Sequence, residues 1–159
     1  MDTMKVTSES QYMEYATFIV LNLHKVTSGL KVMLSPGLQM TFNEIVTTDK
    51  SLAMTVFWMM LQQGNYELYI FQEDNKLIGF AVMEPSRLLR YLYVDDSNQN
   101  QGFGRQIINF FKQNGSFRVR IEDKEYKNGL QKFYEKNGFI FFKKEIVLGT
   151  MYYEYKLTI

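Results

Sequence analysis

Gln99, Asn100, Gln101, Gly102, Phe103, Gly104 and Arg105 separate an apolar run over 88–94 from a stretch with helical apolar spacing, at Phe103, Ile107, Phe110 and Phe111. A strand, a glycine-bearing turn and a helix start, in that order, make an anion-binding device. The first-turn N–H groups of a helix have no partner inside it. The helix dipole adds about half a positive charge at that end, so a phosphate or pyrophosphate fits there. Gly102 and Gly104 lack the Cβ atoms that would hold a ligand away from the backbone. The spacing Gln-x-x-Gly-x-Gly is neither the dinucleotide fingerprint nor the P-loop, and without Gly-Lys-Ser/Thr it does not support nucleotide hydrolysis. Taken alone, the pattern also fits an ordinary strand-to-helix turn.

The elements that must hold this turn follow from periodicity. Ser8, Glu9 and Ser10 offer caps ahead of Tyr12, Tyr15, Ala16, Ile19 and Leu23, which predicts a first helix. Ser35, Pro36 and Gly37 break the chain. A second helix is expected from Thr48 and Asp49 through Ala53, Val56, Phe57, Met60 and Leu61 to a cap at Gly64. The first part of the chain thus reads as mainly helical. Strands are expected at 66–71 and 76–83 about a Glu73-Asp74-Asn75 turn, and again up to Val94. Phe117, Val119 and Ile121 alternate with Arg118 and Arg120, the mark of a half-buried strand over 117–121. That alternation accounts for the arginines without nucleic acid. A helix over 127–137 follows, then paired strands over 139–148 and 151–159. The order describes an α/β layered domain.

Composition sets the outer bounds. A chain of 159 residues suits one compact domain, expected to span 1–159. Its net charge of +1 exerts no general pull on nucleic acid or anionic membrane. Residues 81–159 carry 13 Lys/Arg and 9 Asp/Glu, so the basic half is the half with the phosphate-like turn. The chain has no cysteine, which excludes disulfides, thiolate metal sites and cysteine nucleophiles. No apolar stretch is long enough to span a bilayer, and the first residues lack a signal-peptide pattern. A cytoplasmic protein without metal is expected.

Two stretches resemble one known family. Leu92-Tyr93-Val94 followed by Gln99 to Gly104 resembles the acyl-CoA-binding motif of the GNAT superfamily of N-acetyltransferases, written Gln/Arg-x-x-Gly-x-Gly/Ala after a strand ending in Val. Residues 129–139, with Phe133-Tyr134-Glu135-Lys136-Asn137-Gly138-Phe139, resemble that family's later Phe-Tyr-Glu-Lys-x-Gly-Phe segment. The resemblance covers roughly residues 66 to 145. It implies a GNAT-like fold: a mixed, mostly antiparallel sheet of about six or seven strands flanked by helices, splayed between the strands at 88–94 and 117–121. It also implies a short first strand near residues 4–7.

The same resemblance implies acetyl-CoA as co-substrate and an amine of a small molecule or peptide as acceptor. Backbone N–H groups of Gln101, Gly102, Phe103, Gly104 and Arg105 would meet the pyrophosphate, and Leu92, Tyr93 and Val94 the pantetheine arm. Gln99, Asn100, Asn128 and Phe133 join the expected cofactor contacts. Arg105, Lys132 and Lys136 are undistinguished candidates for the 3′-phosphate. Where the family often carries Asn, seven residues before its tyrosine, this chain has Lys127, with Asn128 one later. Tyr134 matches the tyrosine that gives the leaving sulfur its proton, on a helical face shared with Leu130 and Phe133. A general base would be a carboxylate, with Glu84 and Glu122 best placed. The alternative is a non-catalytic acyl-CoA-binding or regulatory module that keeps the turn and loses the chemistry. Met33, Met40, Met54, Trp58, Met59 and Met60, with Tyr152, Tyr153 and Tyr155, fit an adaptable acceptor pocket, core packing or the face of a homodimer.

Overall fold

A computed structural model describes residues 1–27 and 30–157. Nine strands and six α-helices alternate along them: β1 (Asp2–Lys5), α1 (Glu9–Asn22), β2 (Lys31–Ser35), β3 (Leu38–Thr41), α2 (Phe42–Thr48), α3 (Lys50–Gln63), β4 (Glu67–Glu73), β5 (Lys76–Met83), β6 (Leu88–Val94), α4 (Phe103–Lys112), β7 (Arg118–Glu122), α5 (Asp123–Lys127), α6 (Leu130–Lys136), β8 (Phe139–Val147) and β9 (Thr150–Leu157). Seven strands hydrogen-bond in the order β1-β4-β5-β6-β7-β9-β8, and β2 pairs with β3 separately. This is the mixed, mostly antiparallel sheet flanked by helices that the sequence implied.

The chain clusters into two compact units, Met1–Val82 with Tyr91–Tyr93, and Met83–Arg90 with the residues from Val94 onward. In the first unit, local chemistry sets the helix starts. Ser8 accepts a hydrogen bond from the Gln11 N–H at 3.2 Å, and the Gln11 side chain accepts from the Thr7 N–H at 2.8 Å. Asp49 caps α3 by accepting from the Leu52 N–H at 3.0 Å, and Gly64 ends it as expected. Tyr12, Ile19, Leu23, Phe57, Leu61 and Phe80 are fully or nearly fully buried in its core. Asp74 and Asn75 both take positive φ, 50° and 64°, the pair of left-handed residues that a tight hairpin between β4 and β5 demands.

Two corrections arise here. Residues 31–41 form a hairpin, β2–β3, where only a break between helices was expected. Gly37 turns the chain at φ +83°, and Val32 pairs with Met40. The segment is short, and the exposed Met33 between Val32 and Leu34 is apolar, which masks the alternation in the sequence. The first strand lies at Asp2–Lys5, slightly before the expected 4–7, and pairs antiparallel with β4, Met4 against Ile70.

The second unit holds the turn. β6 and β7 pair in parallel at Leu88 with Arg118 and at Leu89 with Val119. β7 then runs antiparallel to β9 from Arg118–Lys156 to Glu122–Tyr152. The unit's core is a chain of aromatic rings. Phe111 meets Phe117 at 5.9 Å, Phe117 meets Phe139 at 5.2 Å, and Phe139 meets Tyr134 at 5.6 Å, all edge to face. Such contacts each add about 0.5–1.5 kcal/mol beyond burial. The helix expected over 127–137 starts later, as α6 at Leu130, because Gly129 takes φ +92°; α5, over Asp123–Lys127, precedes it as a separate helix. Leu130 is exposed, so it leaves the face that buries Tyr134. Thr158 and Ile159, the end of the expected last strand, lie outside the described residues.

Candidate active site

The site is built where β6 hands over to α4. After Val94 the chain makes a short 3-10 turn, Asp96–Asn98, then two left-handed residues, Asn100 at φ 64° and Gly102 at φ 82°. These two reversals aim the chain into α4. The first internal bond of the helix runs from the Gln106 N–H to the Gly102 carbonyl at 3.1 Å. The N–H groups of Phe103, Gly104 and Arg105 precede it and have no acceptor within the helix. Gly102 offers no side-chain cap either.

The two glycines serve different ends. A Cβ on Gly102 would meet nothing within 4 Å, so packing does not require glycine there; the backbone angle does, and the space beside it is open. A Cβ on Gly104 would lie 3.1 Å from the Phe133 ring. Gly104 therefore lets α4 and α6 approach, which corrects the expectation that both glycines make room for a ligand. It also gives Phe133 a structural position directly behind the turn.

The glutamines brace the turn from inside. The Gln99 side-chain amide donates to the Val94 carbonyl at 3.1 Å and to Asp96 Oδ1 at 3.3 Å. The Gln101 amide donates to the Ser97 carbonyl at 3.2 Å. With these donors engaged, the backbone N–H groups are what the turn can present to an anion. Replacing Gln99 or Gln101 by alanine is accordingly expected to weaken acetyl-CoA binding by no more than about 1.5 kcal/mol, roughly tenfold in Kd by calorimetry. A loss of several kcal/mol would assign the contact to a side chain.

Tyr134 is buried, with its ring edge-on to Phe133 at 5.1 Å and to Phe139. Burial raises its hydroxyl well above the ordinary tyrosine range, because the charged phenolate is the form that desolvation penalises. The hydroxyl therefore keeps its proton throughout the neutral and mildly alkaline range. Glu122 ends β7 and is buried. Because β6 and β7 are parallel, Glu122 lies toward the same end of the sheet as Val94. Glu84 lies at the other end. It forms the turn into β6, donating its N–H to the Leu88 carbonyl at 2.8 Å. Its carboxylate stands 3.8 Å from Arg90. Seven strand residues, roughly 20 Å at about 3.3 Å each, separate that turn from the one after Val94.

The structure thus gathers Val94, residues 99–105, Phe133 and Tyr134 in one unit, with Glu122 at the same sheet end, and does not bring Glu84 to them. Leu92 and Tyr93 belong to the other unit. There the Tyr93 hydroxyl donates to Asn22 at 3.0 Å and its ring packs on Phe80 at 5.5 Å. Asn128 is exposed and caps the end of α5. Beside it, the Lys127 ammonium donates to Asp123 at 2.8 Å and holds that carboxyl below the usual range, while the Tyr153 hydroxyl donates to the other oxygen. Glu154 is a residue that periodicity did not single out. It is 2 % exposed and takes a 2.8 Å ion pair from Arg118. The available signal was a carboxylate within an otherwise aromatic strand, paired with an Arg-x-Arg strand. Among the described residues, no group of three or more His, Cys, Asp or Glu is placed to hold a metal, and no helix is long and apolar enough to cross a membrane.

Residues 64–141 match the family model described as an acetyltransferase (GNAT) domain. No curated protein sequence matches the chain. Among solved structures, the chain is similar to a GCN5-related N-acetyltransferase from Rhodopseudomonas palustris, with TM-score 0.64 and 12 % identity over 99 % of this chain and 95 % of that one. It is similar to a mutant of the spermidine N-acetyltransferase SpeG from Vibrio cholerae, with TM-score 0.63 and 11 % identity over 99 % and 94 %. It is also similar to apo YjaB from Escherichia coli, with TM-score 0.60 and 12 % identity over 99 % of each chain. At these identities the likeness is one of fold.

Proposed function

The chain belongs to the GNAT superfamily of acetyltransferases, and from that membership we propose that it moves an acetyl group from acetyl-CoA to a primary amine of a small molecule or peptide. The observation that carries this reading is Gly102, left-handed at the uncapped start of α4, with open space where a side chain would stand. That cradle fits a pyrophosphate. Phe103, Gly104 and Arg105 would hold it through their N–H groups, with the helix dipole behind them. The backbone of Leu92, Tyr93 and Val94 would receive the amides of the arm.

When bound, acetyl-CoA supplies an activated acetyl thioester. The protein's share is positioning and proton management. The turn anchors the charged end, so that the reactive end is presented at a fixed place. Tyr134 holds a proton on its hydroxyl, raised in pKa by burial, for the sulfur that departs. Glu122 is the carboxylate we assign to take the proton from the attacking amine, directly or through water. We take residues 1–159 as one acetyltransferase domain, acting in the cytoplasm without metal, nucleic acid or membrane. SpeG acts on spermidine by its name; a small amine of that kind belongs to the acceptor class proposed here.

Two measurements test this. At about 100 times its Kd, acetyl-CoA is expected to stabilise the fold by roughly 2.7 kcal/mol, seen as a higher Tm. Free thiol is expected to appear when acetyl-CoA is mixed with protein and a panel of amines. An unshifted melt at millimolar acetyl-CoA would sink the cofactor assignment. A shifted melt without thiol release across the panel would favour the acyl-CoA-binding or regulatory module.

A further inference from the structure

β8 stands at the end of the strand order, hydrogen-bonded to β9 on one side. Its outer edge therefore offers a row of backbone donors and acceptors to another strand. Edges of this kind are usually short, charged throughout or covered. This one is nine residues long, and Ile140, Phe141, Phe142 and Ile146 on it are all exposed, Ile146 by 67 %. Leu148, just past its end, is 85 % exposed. The apolar residues lie at both ends, and Lys143, Lys144 and Glu145 form the centre.

That arrangement is self-complementary. Two copies of one strand that pair antiparallel about a two-fold axis normal to the sheet must place opposed residues on the same face. The axis then lies midway between the two copies of one residue, which is opposed to itself. Centred on Lys144, it sets Lys143 of each copy against Glu145 of the other. Glu145 is already held in place by Arg120 at 3.3 Å and by Lys143 of its own chain at 3.5 Å, so the cross-copy pairs extend an existing network. Beyond the centre, the β8 bulge between Phe141 and Lys143 adds one residue. Faces follow from the β9 partners: Phe141 with Tyr155, Ile146 with Met151, Ile140 with Lys156, Val147 with Thr150. With the bulge counted, Phe141 meets Ile146 of the second copy on one face, and Ile140 meets Val147 on the other. Apolar faces apolar at both ends, and opposite charges meet twice near the middle. Centring on Lys143 or on Glu145 instead sets that charge against itself and Lys144 against Phe142 or Ile146. The Lys144 centre leaves one like-charge pair, Lys144 with itself, on an exposed face.

We propose that β8 is the interface of a symmetric homodimer, paired edge to edge in the register centred on Lys144. The proposal is independent of the acetyl-transfer reading.

The test is the mass of the full chain in solution by sedimentation equilibrium between about 1 and 100 μM, with circular dichroism as the control for folding. The parent chain is expected to dimerise in this range. Lys143→Glu sets Glu against Glu twice, and Glu145→Lys sets Lys against Lys twice; each is expected to weaken the dimer about tenfold or more. A one-to-one mixture of the two variants is expected to recover it, because the carboxylate that Lys143→Glu brings to one chain then meets the ammonium that Glu145→Lys brings to the other. Ile146→Glu, at a position 67 % exposed, tests the apolar half and serves if Glu145→Lys fails to fold; it is expected to be monomeric. A parent chain that stays monomeric at 100 μM would overturn the proposal and mark the lysines as guards that keep the edge unpaired. So would Lys143→Glu and Ile146→Glu that dimerise as the parent does, or two folded charge variants whose mixture stays monomeric.

Discussion

Replacing Tyr134 by phenylalanine is expected to lower kcat by about 10²–10⁴, the usual worth of a positioned acid, with little change in the Kd for acetyl-CoA. The substitution suits the question because it removes one oxygen from a ring whose packing the structure defines. Tyr134 lies edge-on to Phe139 and Phe133, and phenylalanine keeps both contacts. The anion turn is held by other atoms, the Gln99 and Gln101 amides and the Gly102 backbone, so cofactor affinity has no reason to follow. A parallel fall in kcat and kcat/KM would mark an interaction made only in the transition state. The pH profile gives an independent check. Burial raises the Tyr134 pKa, so its proton is present below the ordinary tyrosine range and beyond it. A limb of the profile near neutrality is therefore not that of Tyr134 and is expected to survive in Tyr134→Phe. If the variant retains kcat within about threefold, Tyr134 is a core aromatic that closes the ring chain from Phe111, and the proton comes from elsewhere.

What the sequence disclosed and what it withheld divide along a physical line. Local signals were legible. Asp49 and Gly64 bounded α3, and Asp74-Asn75 set the β4–β5 hairpin, because capping and left-handed turns depend on residues within four positions. The turn at 99–105 was legible for the same reason. Features set by distant contacts were not. Gly104 read as room for a ligand, but its neighbour is Phe133, twenty-nine positions along the chain. Glu84 read as a carboxylate at a strand end, a description that holds at either end of β6; only strand direction shows that it lies away from the turn. Gly129 sat in an otherwise helical pattern, and a single glycine there is tolerated as often as it breaks the helix. The β2–β3 hairpin escaped because its strands are short and the exposed Met33 is itself apolar, so Val32, Met33 and Leu34 read as a run although burial alternates along β2.

Gly102→Asp is expected to separate folding from anion binding in a single variant, costing little stability and much affinity. The position tolerates the variant at a modest cost. Its φ of +82° is left-handed, a region that Asp and Asn enter more readily than other residues with a Cβ, and a Cβ there meets nothing within 4 Å. Gly102 is also the N-cap of α4 and lacks a side-chain cap. An aspartate there complements the helix dipole, but any side chain in this left-handed region is strained, so the Tm without ligand is expected to fall modestly. The same carboxylate faces the proposed pyrophosphate. Two unit charges at 4 Å repel by about 4 kcal/mol at an effective dielectric of 20. Gly102 is exposed, and solvent reduces this to about 1.5–3 kcal/mol, roughly 10- to 100-fold in Kd. Gly102→Asn is the matched control, with nearly the same shape and no charge. Its Kd for acetyl-CoA is expected to stay well below that of the aspartate, and the gap is expected to narrow as salt screens the repulsion. Equal affinity in the two variants would place the anion away from the start of α4, and the cofactor reading would lose its main support.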